Sequence, residues 1–584
     1  MEGLLARTPT PQEAATLRKL VVFTSALFLV SIFAFAQNNS NPPISTPTTA
    51  PKIASLPPTA QQAMASINPE HIRAHVKFLA SDLLEGRGTG QRGGDIAAEY
   101  IATEFSLYGL EPAGDDGSYL QKVPMVGIQT VDDGTTFSLI PNSGSPLDLK
   151  NRTDYVAMDE TGQTSDTIDA PLVWIGYGID APEYKWNDYA GVDVKGKILL
   201  MLVNEPPSDD PNFFKGKALT YYGRWTYKYE EAARMGAAGV ILIHKTDMAS
   251  YGWEVVRNSW GGERSYLRND PAPKLKVASW VQLDVARKLA QDCGMNLDEM
   301  MAAAQKPGFK AEQLPAKLDA HIVSKVRPFD SNNVVAMVPG SNPELKEQAV
   351  MYSAHYDHLG IVPGMPGDNI YNGAQDNATG VGILLEIARA YSLAKEPPPR
   401  SVYFASVTAE EQGLRGSEYF GKHPPVPAKE ISLDLNYDDV APLGVPEEVQ
   451  VVGAERTTFY PAVQNMAKQF GLTIVPDPNP NAGHYYRSDH FSLARVGVPA
   501  FSIGEGELYK GHDRQWGAQK AKDFVANDYH HPSDEYHPSM DFAGDAVMAR
   551  FGFALGWEAA TQKSEVGWLA GDEFEKPRKA SGGQ

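Results

Sequence analysis

After Ser331 the chain alternates apolar runs of strand length with a helical pattern, and this alternation constrains its fold more than any other feature. The runs are 333–338, 349–354, 402–408, 431–437 and 500–503, with a helix expected over 380–394. A continuously apolar strand needs cover on both faces, and helices between such strands supply it. The reading is an α/β fold with a mostly parallel central sheet and helices on both faces. In sheets of this kind, sites form where the strands end at their carboxyl edge. From Pro171 a second, shorter pattern of the same sort appears. Strands are expected over 172–177, 197–203 and 239–244, with a small-residue helix over 231–237. Residues 155–325 therefore read as a smaller α/β insertion within the first pattern.

The rest of the chain divides by texture. Arg18 and Lys19 precede an apolar run from Leu20 to Phe35 that ends in Ala34-Phe35-Ala36. Basic, apolar and small-residue parts in that order are the layout of a secretory signal, so residues 1–36 are expected to be removed before Gln37. The apolar run is shorter than the roughly 20 residues a membrane span needs. Residues 37–60, rich in Asn, Pro, Ser and Thr, read as a flexible linker. The organisation expected is thus a main domain formed by 61–154 and 326–569, interrupted by 155–325, with a loose polar tail over 570–584. Helices are expected around His71–Leu79 and Ala97–Phe105, ending at Gly109.

Charge and cysteine content exclude several functions. The 584 residues carry a net charge of −20, which disfavours nucleic acid and anionic membrane surfaces as partners. A single cysteine, Cys293, permits neither an internal disulfide nor a thiolate cluster. A metal here must be held by His, Asp and Glu. The same cysteine poverty suits a periplasmic or secreted protein stabilised by its core, with no lasting membrane attachment once the signal is gone.

Acids and histidines stand where the expected strands finish. His355-Tyr356-Asp357-His358 follows the first buried run, and Asp376 lies in a glycine-bounded loop that enters a helix. Glu410-Glu411 ends another strand, Asn436-Tyr437-Asp438 a third, and Tyr529-His530-His531 comes later. Any one of these is unremarkable. Five converging on one sheet edge form a candidate site. No Gly-x-Ser-x-Gly elbow and no phosphate loop with a following Lys-Ser/Thr accompanies them.

These segments resemble the co-catalytic zinc aminopeptidases, the family that also contains the glutamate carboxypeptidases and the transferrin receptor ectodomain. The likeness extends to Ser488-Asp489-His490 and Gly497-Val498-Pro499-Ala500. In the insertion, Gly176-Tyr177-Gly178, 188–197 and 236–240 resemble that family's protease-associated domain. The resemblance implies two zinc ions bridged by Asp376, one completed by Glu411 and His530, the other by His355 and Asp438. It implies Glu410 as general base and Asp357 as an orienting carboxylate. Asp438 is preferred over Asp434 and Asp439 because the family pattern places Asn two residues before the ligand, and Asn436 fits. Tyr485 stands loosely at the position of a tyrosine that would stabilise the oxyanion. His358, His490, His531 and His537 are expected to be structural. The activity implied is removal of residues from peptide or protein N-termini. A carboxypeptidase, a non-catalytic receptor-like ectodomain and a glutaminyl cyclase are the alternatives. The arginines near the motifs (Arg415, Arg456, Arg487, Arg495 and Arg514) are scattered in sequence, unlike the clustered fork a carboxypeptidase would use. Preferred side chain and oligomeric state are not encoded legibly.

Overall fold

The computed structural model describes residues 45–362 and 367–583, so the expected signal segment 1–36 lies outside the described residues. Four parallel strands form the heart of the first sheet, in the order Ser401–Val407, Ala349–His355, Ile431–Asn436 and Ala500–Glu505. Antiparallel strands close it on both sides. Glu448–Val452 pairs with Ala500–Glu505, while the 27-residue strand Glu312–Val338 pairs with Ser401–Val407 and then with Leu120–Thr130.

Strand alternation fixes the two faces. Val350, Tyr352 and Ala354 point into a layer containing the helices Gly380–Leu393 and Ala543–Thr561. Ala349 and Met351 point the other way, against Phe420 and Leu493 of the helices Arg415–Lys422 and His490–Arg495. Each large side chain fully buried in this way contributes on the order of 1.5–3 kcal/mol. Tyr352 also explains a glycine: its hydroxyl donates to the Gly552 carbonyl, and a Cβ at Gly556 would overlap it.

A second sheet grows from the same long strand. Residues 312–323 pair with Ser165–Trp174 on one side and Thr136–Pro141 on the other. Beyond Ser165–Trp174 lie the parallel strands Ile198–Leu202, Gly239–His244 and Val277–Gln282, closed by antiparallel Tyr155–Met158. The lobe takes in Thr136–Pro141, so it begins earlier than the boundary at 155 read from sequence. It also returns to the first sheet, because Arg264–Leu267 pairs with Leu120–Thr130.

Two segments expected to be loose are docked. Between residues 45 and 60, Ile53 is buried in the main core and the Thr46 hydroxyl donates to Asp541. In the tail, Phe574 is buried, and the Arg578 guanidinium donates to the carbonyls of Ala428 and Ile431. In both segments the anchoring groups are isolated residues without periodicity, which a composition-based reading misses. No described helix is long and apolar enough to cross a membrane.

Candidate metal centre

The carboxyl edge of the first sheet gathers the residues singled out in the sequence. His355 is the last residue of its strand, and Glu410, Glu411 and Asp438 lie just past the ends of theirs. Asp376 comes from the turn Ala374–Thr379, which leads into the helix Gly380–Leu393. His530 follows the helix Arg514–Asn527.

Asp376 lies between two groups. Its Oδ1 is 3.4 Å from His355 Nε2, which is 3.0 Å from Asp438 Oδ1. Its Oδ2 is 3.3 Å from His530 Nε2, which is 3.1 Å from Glu411 Oε2. Donor atoms around a tetrahedral ion with bonds of about 2.0–2.1 Å stand roughly 3.3 Å apart, so these spacings suit two neighbouring metal positions sharing one carboxylate. The donors are imidazole and carboxylate, which fits a divalent ion such as zinc. His355–Asp376–Asp438 and His358–Asp376–Glu411 each form a compact donor cluster.

His358 was expected to be structural, yet its Nδ1 is 2.6 Å from Glu411 Oε1 and 3.8 Å from Asp376 Oδ2. Two imidazoles therefore face the Glu411 side. The second lobe braces His530, with its Nδ1 3.0 Å from Ser259 Oγ and its carbonyl accepting from Asn258, while the His358 backbone N–H donates to the Arg87 carbonyl.

Electrostatics favour a cation here. Burial alone would push the His355 and His530 imidazoles toward neutrality. Instead Asp438, Glu410 and Asp376 hold His355 well above its usual range, and Glu411 with Asp376 raises His530 to about 10. Glu411 is held well below the carboxylate range because His530 and His358 outweigh its burial. Glu410 goes the other way, raised by burial and by Asp438, Glu411 and Asp489, which together outweigh His355. A buried excess of carboxyl groups of this kind is costly unless a positive charge offsets it.

Buried supports hold the loops. Asp357 accepts from the Thr89 hydroxyl and from the backbone N–H of Glu410, so it fixes the segment that carries Glu410. Asp534 accepts from the N–H groups of Gln375 and Asp376. Arg87, fully buried, donates to the carbonyls of Leu79, Tyr356, Asn372 and Gly373, which ties the His355 and Asp376 loops together. Arg264 of the second lobe lies near Trp225 and Trp260 and donates to the Glu411 carbonyl. Asp357 lies in the His355–His358 motif; Arg87 and Arg264 lie in none.

Among the aspartates after 431, the structure brings Asp438 to His355. Asp434 is fully buried against Ser353, where burial raises its carboxyl well above the usual range. Tyr485 does not take the expected place. Its hydroxyl donates to the Ala500 carbonyl, and its ring packs with Phe574 under the Arg456 guanidinium. A Cβ at Gly453 would overlap that ring, so the glycine leaves room for it. The tyrosine beside the metal donors is Tyr529, stacked on His530 at 4.1 Å.

A cavity of about 100 Å³ opens onto Glu410, Glu411 and His530, with second-lobe aromatics such as Trp225 and Trp280 and the arginines Arg224, Arg264 and Arg487 among its other walls. Fold and site together define an α/β protein with a candidate two-metal centre at the carboxyl edge of its sheet. Residues 333–549 match the sequence profile of Peptidase family M28. Leupeptin-inactivating enzyme 1 of Streptomyces exfoliatus is 28% identical over 43% of this chain and 55% of its own length. The probable leucine aminopeptidase 2 of Aspergillus oryzae is 26% identical over 59% of this chain and 58% of its own length. The chain thus spans little more than half of either relative. Among solved structures, an aminopeptidase from Aneurinibacillus sp. strain AM-1 aligns with a TM-score of 0.49 and 18% identity, covering 85% of this chain and 95% of that one.

Proposed function

We propose that the protein is a di-zinc exopeptidase that removes residues from free peptide N-termini. One observation carries the reading: the Asp376 carboxylate lies between two His–carboxylate pairs, with Glu410 beside them at the mouth of a cavity. His355, Asp376 and Asp438 would hold one ion, and Asp376, Glu411 and His530 the other. Bound zinc supplies a water acidic enough to ionise near neutral pH and polarises the substrate carbonyl. Glu410 has no assigned ligand role and a raised proton affinity, which suits it to take a proton from the attacking water and deliver it to the leaving amine. Asp357 holds Glu410 in place through its backbone N–H. The surrounding acids favour a substrate ammonium or amine over a second carboxylate at the metal edge.

The match of residues 333–549 to Peptidase family M28 and the likeness to a probable leucine aminopeptidase support the same reading. The signal-like layout of residues 1–36 supports export, to be checked by N-terminal sequencing of the mature protein. The resemblance of 176–178, 188–197 and 236–240 supports a protease-associated role for the second lobe, restricting entry to chain ends. Short peptides with free and with acetylated N-termini test the activity. Cleavage confined to the free amine is expected; equal cleavage of the acetylated peptide refutes the aminopeptidase reading.

A further inference from the structure

The cavity beside the candidate metal centre is acidic at the metal end and basic elsewhere. Arg224, just before the second-lobe helix Trp225–Arg234, and Arg487, just after the short turn His484–Tyr486 of the main domain, both line it. They converge from distant parts of the chain, which is why the sequence showed only scattered arginines.

Neither guanidinium forms an ion pair with a described carboxylate. Arg487 makes one side-chain hydrogen bond, to the Ala249 carbonyl at 3.1 Å, lies 5.4 Å from the Tyr251 ring centre, and is near enough to Asp477 to help hold that carboxyl low, though not at ion-pair distance. The Arg224 side chain makes no hydrogen bond to a described residue, and the Nε atoms of both arginines are buried without a partner. The contrast with a neighbouring cavity of about 450 Å³ is direct. There Arg415 pairs with Glu418, and Arg495 with Glu230. Arg415 and Arg495 have carboxylates at ion-pair distance; among the described residues Arg224 and Arg487 have none. Burial, and then the nearby Arg487 charge, push the Arg224 guanidinium down to about 10, a cost that a bound anion would relieve.

Resting on the exopeptidase reading above, we propose that Arg224 and Arg487 form a carboxylate-recognition corner that selects substrates with an anionic group next to the scissile bond. A guanidinium offers planar, paired donors to a carboxylate, and the cavity's small volume limits the bound part to about one side chain. The carboxylate comes from an acidic side chain flanking the cut or from the C-terminus of a dipeptide. The aromatic walls, Trp225, Tyr251 and Trp280 among them, exclude water and strengthen the pairing.

The test compares kcat/KM on zinc-loaded full-length protein for three matched pairs: N-terminal Glu against Gln, second-position Glu against Gln in amidated peptides, and a dipeptide against its amide. The wild type should prefer the carboxylate member by about tenfold or more in at least one pair, and that pair names the source. Arg224→Gln and Arg487→Gln should each collapse the ratio, with Arg224→Lys retaining part of it. Calorimetric titration with glutamate and with glutamine gives a readout independent of turnover, and glutamate should bind the wild type at least tenfold more tightly than it binds Arg224→Gln. If no wild-type pair differs and glutamate binds no better than glutamine, the corner is refuted, whether or not the variants fold. Failure of the exopeptidase reading looks different: no free-amine peptide of any pair is cut, while calorimetry still decides on the carboxylate.

Discussion

The two lobes are built from the same materials and do different things. Each has a run of parallel strands with buried, branched side chains, and they share the strand Glu312–Val338. The first lobe's strands end in His355, Glu410, Glu411 and Asp438. Of the second lobe's, Gly239–His244 ends in a histidine that contacts the Tyr251 carbonyl, and Val277–Gln282 ends in a glutamine. Among the described residues, both compact metal-donor clusters lie in the first lobe. Chemistry thus follows what stands at the strand ends and not the layered architecture. The second lobe contributes instead by contact, bringing Ser259, Asn258 and Arg264 against His530 and Glu411 and Arg224 into the cavity.

If that division is right, substitutions should grade by lobe and by distance from the donors. Asp376→Ala should have the largest effect, abolishing tight binding of both ions and all peptidase activity, because it removes the shared carboxylate; elemental analysis with a turnover assay reads it. Glu410→Gln should retain both metals and lose about two or more orders of magnitude in kcat. Near-normal kcat with both metals bound would remove Glu410 from the chemistry. Arg264→Met, in the second lobe but bonded to the Glu411 carbonyl, should weaken one metal site by about tenfold and leave the other unchanged. Competition with a chelating dye would separate the two sites. Leu200→Ala, deep in the second lobe's own core, should cost about 2–5 kcal/mol of stability yet leave metal affinity unchanged. A loss of metal affinity as large as that of Arg264→Met would erase the distinction between the lobes.

Legibility followed the same division. Apolar runs gave the first sheet's parallel strands within a residue or two, because burial on both faces leaves little choice of side chain, and residues 349–354 became Ala349–His355; in the second lobe the run 172–177 became Ser165–Trp174 and Val277–Gln282 went unread. His355, Glu411 and Asp438 could be found because each follows such a run, whereas Asp376 and His530 lie in loops beside helices; the structure brings all five together. What escaped was set by partners distant in sequence. His358 approaches Glu411 from another loop, Arg224 meets Arg487 across the lobe boundary, and Asp534 reaches back to the N–H groups of Gln375 and Asp376. Tyr485 was misplaced because a tyrosine near a motif carries no sign of whether its hydroxyl faces the site or a strand carbonyl. The early start of the second lobe at Thr136 depended on pairing with residues 316–321, which strand patterning alone does not reveal.

The central claim is a pair of metal ions sharing Asp376, and the most direct test is crystallography of the zinc-loaded protein with anomalous scattering at the zinc edge. Two peaks about 3.5–4 Å apart are expected on either side of the Asp376 carboxylate, one beside His355 and Asp438, the other beside Glu411 and His530. A single peak, or a second ion held by His358 in place of His530, would contradict the account.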